Sequence, residues 1–293
     1  MTVSRRKFLQ ASAALLATGA AAVATDSTLF EPLRPKLVKI ELVLARLPAA
    51  LDGLTIAQLS DFHYDDRLGK VPIVRAVDMV NQLDPHLVLL TGDFVTISVL
   101  SEYLHNARQA ANVIEPCARL LSSLRPPLGV FAVLGNHDSD SDPVRIVETL
   151  HTYGITTLRN RSFPLQMGGG RIWLGGVEDA LVGKPDLSAT LRGIPPSEPV
   201  VLLVHEPDFA DQVARCPVDL QLSGHSHGGQ IRFPLIGAPY LPELARKYPR
   251  GLRQVGPLTL YTNVGLGTIR IPARLGCPPE VTLFTLRAAT RKP

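Results

Sequence analysis

The chain contains 293 residues, of which 45% are apolar; this excludes an intrinsically disordered chain and allows one large domain or two small ones. Its formal net charge is +4, and Arg5, Arg6 and Lys7 near the start supply +3 of it. The rest of the chain is almost neutral and has no cluster of basic residues interleaved with aromatic ones, so no nucleic-acid binding is indicated.

The first 24 residues have the features of an export signal. Residues 4–9 read Ser-Arg-Arg-Lys-Phe-Leu, a weakly apolar alanine-rich stretch follows, and Ala22-Val23-Ala24 offers the small residues that a signal peptidase reads. Paired arginines before such a stretch resemble a twin-arginine signal. We predict a signal peptide over residues 1–24, a linker over 25–35 and a single domain over 36–293.

An uncleaved membrane anchor is the alternative for this first stretch, although it is short and alanine-rich for a spanning helix. In both cases the positive end stays in the cytoplasm and the rest of the chain crosses the membrane. The expected location is the periplasm, the cell wall or the outer face of the cytoplasmic membrane. The twin-arginine export machinery is then an expected partner.

Apolar runs and helical patterns alternate along the remaining chain. Short apolar runs predict strands over residues 37–44, 54–59, 87–91, 129–134, 171–177, 200–204, 220–223, 258–262 and 281–286. Helices are predicted over residues 72–83, 115–124, 143–153 and 208–215, with Asp142 as the N-cap of the third. Alternating strands and helices indicate an α/β fold.

Metal-binding side chains directly follow five of these predicted strands, where ligands bind in open α/β sheets. On an extended backbone, Asp61 and His63 point the same way, and so do His225 and His227. Glycines 92, 135 and 224 allow sharp turns and close approach of the backbone. The predicted ligands are Asp61, His63, Asp93, Asn136, His205, His225 and His227.

Seven ligands are too many for one tetrahedral ion and suit two ions when one group bridges them. Oxygen and nitrogen donors without a thiolate favour Mn, Fe or Zn. Two divalent ions with two carboxylates leave a charge of about +2, which attracts a phosphate and lets the ions clamp its attacking and leaving oxygens.

The five motifs together resemble those of the calcineurin-like metallophosphoesterases, in the same order, over roughly residues 54–230. They are Asp61-x-His63, Gly92-Asp93, Gly135-Asn136-His137-Asp138, His205 and Gly224-His225-x-His227. The continuation Gly228-Gly229-Gln230-Ile231-Arg232, with the twin-arginine signal, resembles an exported bacterial branch of that family. The resemblance implies a four-layer α/β sandwich of two mixed sheets flanked by helices.

The resemblance also assigns roles to individual residues. It implies a first metal bound by Asp61, His63 and His227, a second bound by Asn136, His205 and His225, and Asp93 as the bridge. His137 is then the catalytic residue that protonates the leaving group or steadies the transition state. Asp138 is expected to orient a neighbouring group rather than to bind metal.

The predicted function is hydrolysis of a phosphate monoester or diester by a hydroxide that bridges two divalent metal ions, outside the cytoplasm. One alternative is a hydrolase of a lipid-linked phosphate or pyrophosphate at the membrane surface, since the Gly/Pro-rich residues 228–256 after His227 include many apolar side chains. An alternative of another class, a metal-stabilised binding or scaffold protein, is disfavoured because all five motifs are complete. The expected substrate is a phosphorylated small molecule or lipid.

Overall fold

The strands form two sheets of six in the computed structural model, which describes residues 4–66, 69–97 and 107–289. The first sheet contains β1 (Lys36–Leu44), β2 (Thr55–Leu59), β3 (Leu87–Leu90), β4 (Val130–Ala132), β5 (Ile155–Thr157) and β12 (Glu280–Ala288). The second contains β6 (Arg161–Met167), β7 (Gly170–Gly176), β8 (Val200–Leu203), β9 (Leu220–Ser223), β10 (Gly251–Val255) and β11 (Leu258–Thr262).

Both sheets are mixed. The first has the order β1-β12-β2-β3-β4-β5, in which β2 to β5 are parallel and β12 runs antiparallel to β2. The second has the order β10-β11-β9-β8-β7-β6, in which only the outer strands β10 and β6 are antiparallel to their neighbours. The carboxyl ends of β2, β3 and β4 therefore share one edge, and those of β8 and β9 share another.

Apolar side chains fill the space between the sheets and beneath the helices. Ile56 and Leu89 of the first sheet are buried in one cluster with Leu174 and Leu222 of the second. The outer faces of both sheets are covered by helices. The helices are α1 (Arg5–Thr25), α2 (Lys70–Leu83), α3 (Ile114–Leu121), α4 (Asn136–Asp140), α5 (Pro143–Thr152), α6 (Leu187–Leu191) and α7 (Ala210–Val213).

Helices α2, α3 and α5 pack on the first sheet, while α6 and α7 pack on the second. The predicted four-layer sandwich is confirmed. Every predicted strand is present, and Asp142 caps α5 by accepting from the Arg145 N–H. The helix predicted over 208–215 is a 3₁₀ turn, Pro207–Phe209, followed by α7. Strands β5, β6 and β10 and helices α4 and α6 were not predicted.

The first helix continues into the body of the protein. After α1 the chain forms a π turn, Asp26–Phe30, and a 3₁₀ turn, Glu31–Leu33, where the sequence predicts a linker. The Arg274 N–H donates to the Ser27 carbonyl (2.8 Å), and the Glu31 carboxylate accepts from the Cys277 N–H (2.7 Å). Within the described ranges, residues 5–33 form one helix long and apolar enough to cross a membrane, a property that signal sequences share.

Candidate metal centre

Loops at the carboxyl ends of β2, β3, β4, β8 and β9 bring the predicted ligands to one place. One group consists of Asp61, His63 and His227, whose ligand atoms lie within 4.8 Å of one another. A second group of the same size consists of Asp93, His205 and His225. Asn136 lines the same cavity as His225 and His227.

Asp93 lies between the two groups. Its Oδ2 is 3.4 Å from Nε2 of His63 in the first group and 3.2 Å from Nε2 of His205 in the second. Its Oδ1 accepts the backbone N–H of His137 at 3.0 Å. One carboxylate oxygen is thus held by the backbone while the other faces both groups, a geometry that suits a bridging ligand.

Several buried donor atoms in this cluster face one another or lack a partner. Nε2 of His63 and Nε2 of His227 are 3.0 Å apart, and Nε2 of His227 lies 3.3 Å from Oδ1 of Asp61. Oδ1 of Asn136 is buried without a hydrogen-bond partner. Buried polar atoms normally have a hydrogen-bond partner, so nitrogen and oxygen atoms that crowd together or lack one are what a site for metal ions would show.

Backbone and hydroxyl groups behind the imidazoles fix which ring nitrogen faces the cluster. Nδ1 of His205 donates to the Thr91 carbonyl (2.5 Å), which leaves the lone pair of Nε2 for a metal. Nε2 of His225 donates to the Glu243 carbonyl (2.8 Å), so its Nδ1 is the free nitrogen. Nδ1 of His63 lies 3.0 Å from the hydroxyl of Thr96. Nothing in the local motifs signals these partners.

The backbone at the ligands is left-handed, so the explanation based on an extended chain was wrong. Asp61 and His63 have φ of 49° and 41°, and His225 and His227 have φ of 64° and 50°. The strands end before these residues, and tight turns, rather than strand alternation, bring the paired side chains together. Non-glycine residues at positive φ are uncommon, and such strain concentrates at functional sites.

Glycines let the loops pack directly on the ligands. A Cβ at Gly135 would lie 2.3 Å from Oδ1 of Asp93, and one at Gly224 would lie 2.3 Å from Oδ2 of Asp61. Sequence analysis did not identify a further loop that packs on the ligands, after β11. A Cβ at Gly265 in this loop would lie 2.6 Å from the Cβ of Asp61. Glycines at 265 and 267 directly after a predicted strand were the available signal.

Arg274 supports that loop from beneath. Its side chain is fully buried and donates to the carbonyls of Val264, Gly265, Gly267 and Cys277 at 2.6–3.2 Å. A planar guanidinium with five donors can bind several carbonyls that no single backbone group could reach. The sequence alone did not indicate this role.

Asp138 lies behind the cluster, as expected for an orienting group. Its carboxylate accepts backbone N–H groups of Asp93 (2.8 Å), Phe94 (2.9 Å), Val95 (3.2 Å) and Gly135 (3.0 Å). The contacts join the loop after β3 to the loop after β4. They hold Asp93 beside α4, on which His137 lies.

His137 lines the cavity, and its ring is 5.0 Å from that of His63. The Ile97 N–H donates to Nδ1 of His137 at 3.0 Å. With Nδ1 accepting, the proton of the neutral ring resides on Nε2. The ring can therefore donate a hydrogen bond from Nε2 to a group bound in the cavity.

Burial and mutual charge set the protonation of the cluster. Burial lowers the pKa of His63 to about 3, and burial with the charge of His205 lowers the pKa of His225 to about 4. Burial raises the pKa of Asp61 to about 6. Burial opposes charge on His205 too, but the Asp93 carboxylate outweighs it and raises the pKa of His205 well above its usual range. Two imidazoles are therefore already neutral, as metal binding requires.

An apolar cavity of about 370 Å³ opens beside the cluster. Its outer wall, called the rim here, is formed by residues 229–231, 239, 240, 242 and 269–271. Ile231, Tyr240, Ile269 and Ile271 line the cavity, and the Arg270 guanidinium lies 5.4 Å from the centre of the Tyr240 ring. A bound molecule would thus meet metal-binding groups at one end and apolar side chains at the other.

Comparison with known proteins decides the family. The sequence profile of the calcineurin-like phosphoesterases matches residues 54–229, the stretch that carries all five motifs. The chain belongs to this family. As a calcineurin-like phosphoesterase it is a hydrolase that acts on phosphate esters, and its family depends on metal ions.

Three relatives illustrate the range of this family. The metallophosphoesterase YkuE of Bacillus subtilis is 32% identical over 98% of both chains. The phosphodiesterase YaeI of Escherichia coli is 33% identical over 97% of this chain and 99% of its own. A transmembrane protein with a metallophosphoesterase domain from Danio rerio is 33% identical over 98% of this chain and 65% of its own.

Proposed function

We propose that this phosphoesterase uses two divalent metal ions, Mn, Fe or Zn, to hydrolyse phosphodiesters or phosphomonoesters. The position of Asp93 carries the proposal, because one of its oxygens faces both ligand groups. Asp61, His63 and His227 would hold one ion, and Asn136, His205 and His225 the other. The buried Oδ1 of Asn136, which has no hydrogen-bond partner, favours this assignment.

When bound, such ions would supply positive charge for the phosphate oxygens and an activated water. The chain's own groups complete the site. His137 presents its Nε2–H to the cavity, where it would donate a hydrogen bond to the departing oxygen and steady the charge that develops there, a contact that typically contributes about 10²–10³-fold to a rate. Asp138 keeps the loops of Asp93 and His137 in register.

An amphiphilic ester, such as a lipid-linked phosphate or pyrophosphate, is the second candidate substrate. The observation that favours it is the apolar cavity, whose isoleucines would accept a hydrocarbon group beside the phosphate-binding end. The name of the Escherichia coli relative, a phosphodiesterase, favours a diester as the first substrate to examine.

We also propose that the chain is exported through the twin-arginine pathway. The paired arginines are the first two residues of α1, whose remaining residues are mostly apolar and which has no buried residue. A signal peptide or an anchor would both show these properties. The test fuses residues 1–35 to a reporter protein. If the proposal is correct, the fusion is exported, and replacing Arg5 and Arg6 with lysine abolishes that export.

Hydrolysis of bis(p-nitrophenyl) phosphate tests the enzyme directly. The chain stripped of metal should be inactive, and adding Mn²⁺ should restore turnover with two ions bound per chain. p-Nitrophenyl phosphate in parallel separates diester from monoester preference. Absence of turnover with each of Mn²⁺, Fe²⁺ and Zn²⁺ would contradict the proposal, and a single bound ion would contradict the dinuclear assignment.

A further inference from the structure

Residues 233–237 form a tight hairpin that holds two large apolar side chains in solvent. Phe233 and Gly237 exchange both backbone hydrogen bonds at 2.9 Å. Between them, Leu235 is fully exposed (108%) and Ile236 is 80% exposed. Phe233 (45%) and Tyr240 (55%) are exposed in the same segment, and a group of exposed apolar side chains, unlike a single one, is typical of an interaction site.

The backbone at the tip of this hairpin is unusual. Leu235 has a φ of 67°, in the left-handed region where turns normally use glycine or asparagine. That conformation costs a branched side chain about 1–2 kcal/mol. The hairpin thus retains a bulky apolar group at a position that a smaller, polar residue would occupy with less strain.

The base of the hairpin is bonded to the segment on which the N-terminal helix docks. Leu275 accepts from the Arg232 N–H (2.7 Å) and donates to the Gln230 carbonyl (3.0 Å). Its neighbour Arg274 donates to the Ser27 carbonyl (2.8 Å), just past the end of α1. Arg274 and Leu275 therefore connect the end of the apolar helix to the base of the hairpin.

The apolar part of α1 can cross most of a bilayer core. Without Arg5, Arg6 and Lys7, residues 8–25 of the helix span roughly 27 Å at 1.5 Å per residue, slightly less than the roughly 30 Å of the core. A helix that spans the bilayer over this length meets the membrane surface near Ser27. The segment 274–277 and the hairpin bonded to it would then lie at that surface.

The charge around the hairpin fits the same partner. Residues 228–253 contain five basic residues, Arg232, Arg246, Lys247, Arg250 and Arg253, and a single acidic residue, Glu243. Arg270 adds a further cation at the rim. Lys247 is paired with Asp211, and the other basic residues leave an excess of positive charge in the segment that carries the apolar hairpin, a combination that binds the interface of anionic lipids.

We propose that the hairpin tip, Leu235 and Ile236, inserts into the surface of an anionic lipid bilayer and places the cavity mouth against the lipid headgroups. Ile231 and Ile271 belong to both the rim and the cavity wall, so an amphiphile could pass from the bilayer toward the metal-binding end. The effect of this docking on catalysis rests on the proposed hydrolase function, whereas the docking itself does not.

Fluorescence tests the docking without requiring turnover. The chain has one tryptophan, Trp173, in β7. In a Trp173→Phe background, Leu235→Trp is placed in vesicles of phosphatidylcholine and phosphatidylglycerol brominated near the headgroup. We expect its emission to fall at least about twofold, whereas Val43→Trp should stay unchanged. Val43 is also exposed (65%) but lies near the end of β1, at the opposite end of the first sheet from the ligands.

Quenching of the two positions to the same degree, or of neither, overturns the docking. A second arm compares phosphatidyl-p-nitrophenol in vesicles with soluble bis(p-nitrophenyl) phosphate. Replacing both Leu235 and Ile236 with serine should reduce hydrolysis of the lipid at least tenfold and leave the soluble ester within twofold. Equal rates on the lipid for variant and parent also overturn the proposal. If the parent hydrolyses neither ester, the proposed function fails and the quenching alone decides the docking.

Discussion

The floor and the rim of the cavity are built in opposite ways. The floor, residues 61–63, 92–93, 135–138, 224–227 and 263–267, contains buried polar groups whose positions are fixed by backbone contacts and by glycines without room for a Cβ. The rim is apolar and more exposed than the floor, to which Gly229 and Gln230 connect it by donating to the Ser226 and His227 carbonyls. The comparison teaches that the polar groups of the floor are held in place, whereas the exposed apolar side chains of the rim are not.

The strongest test of the floor is Asp93→Asn. An amide in place of the carboxylate removes the charge that faces both ligand groups, so both metals should be lost. We expect kcat to fall more than about 10³-fold, because mutating even a group that only hydrogen-bonds to a metal ligand typically reduces metal affinity or activity about 10–100-fold. Elemental analysis beside kinetics measures both. Asp84→Asn is the matched control, because Asp84 also has a positive φ (47°) but is exposed at the end of α2. Two retained ions would break the assignment of Asp93 as the bridge.

His137→Ala separates catalysis from metal binding at the border of floor and rim. Metal content should stay at two ions, while kcat for an alkyl ester falls about 10²–10³-fold because its leaving oxygen develops more charge and depends on the hydrogen bond from Nε2. A p-nitrophenyl ester leaves without such help and should lose less. Equal losses for the two leaving groups would show that His137 does not act on the leaving oxygen.

Proton competition at the floor gives the next largest effect. Asp61 (pKa about 6) and His205 (pKa well above 6.5) must each lose a proton to bind metal, whereas His63 and His225 are already neutral. At pH 5 both protons compete, so Mn²⁺ affinity should rise by about two orders of magnitude per pH unit; at pH 7 only His205 competes, and the slope should fall to about one order. Calorimetry in buffers of different ionisation enthalpy counts the released protons. A pH-independent affinity between pH 5 and 7 would contradict this.

The smallest effect concerns the packing of the floor. Gly265→Ala would press a methyl group against Asp61, whereas Gly251, with a similar φ (74° against 70°), has no atom within 4 Å of such a group. Both changes incur the cost of a left-handed alanine, about 1–2 kcal/mol. The clash should lower the free energy of unfolding of Gly265→Ala by a further 1–3 kcal/mol or so and weaken metal binding. Equal denaturant midpoints for the two variants would show that the loops of the floor move apart to accommodate the added methyl group.

The buried strands were predictable because their sequences are continuous apolar runs. Strands β6 and β10 were not, since they lie at the edges of the second sheet, expose most of their side chains and, in β6, include Pro164. The short helix α4 was not predicted either, because its residues, Asn136–Asp140, are all polar and show no apolar periodicity.

The site residues were predictable because each follows a strand that ends at the same side of the sandwich. Their backbone geometry was not, because a period of two in the sequence does not distinguish a strand from two left-handed turns. The roles of Thr91, Glu243 and Arg274 depend on contacts between loops distant in the chain, which no local pattern encodes.

The left-handed backbone at Asp61, His63, Asp93, His225 and His227 limits how the centre can diversify. Histidine, aspartate and asparagine tolerate this conformation far better than branched residues do. They are also the residues that offer nitrogen or oxygen donors to transition metals. Exchanges among these three would alter the hardness of the donor set with little cost to the fold, so descendants of this chain could shift their metal preference one position at a time.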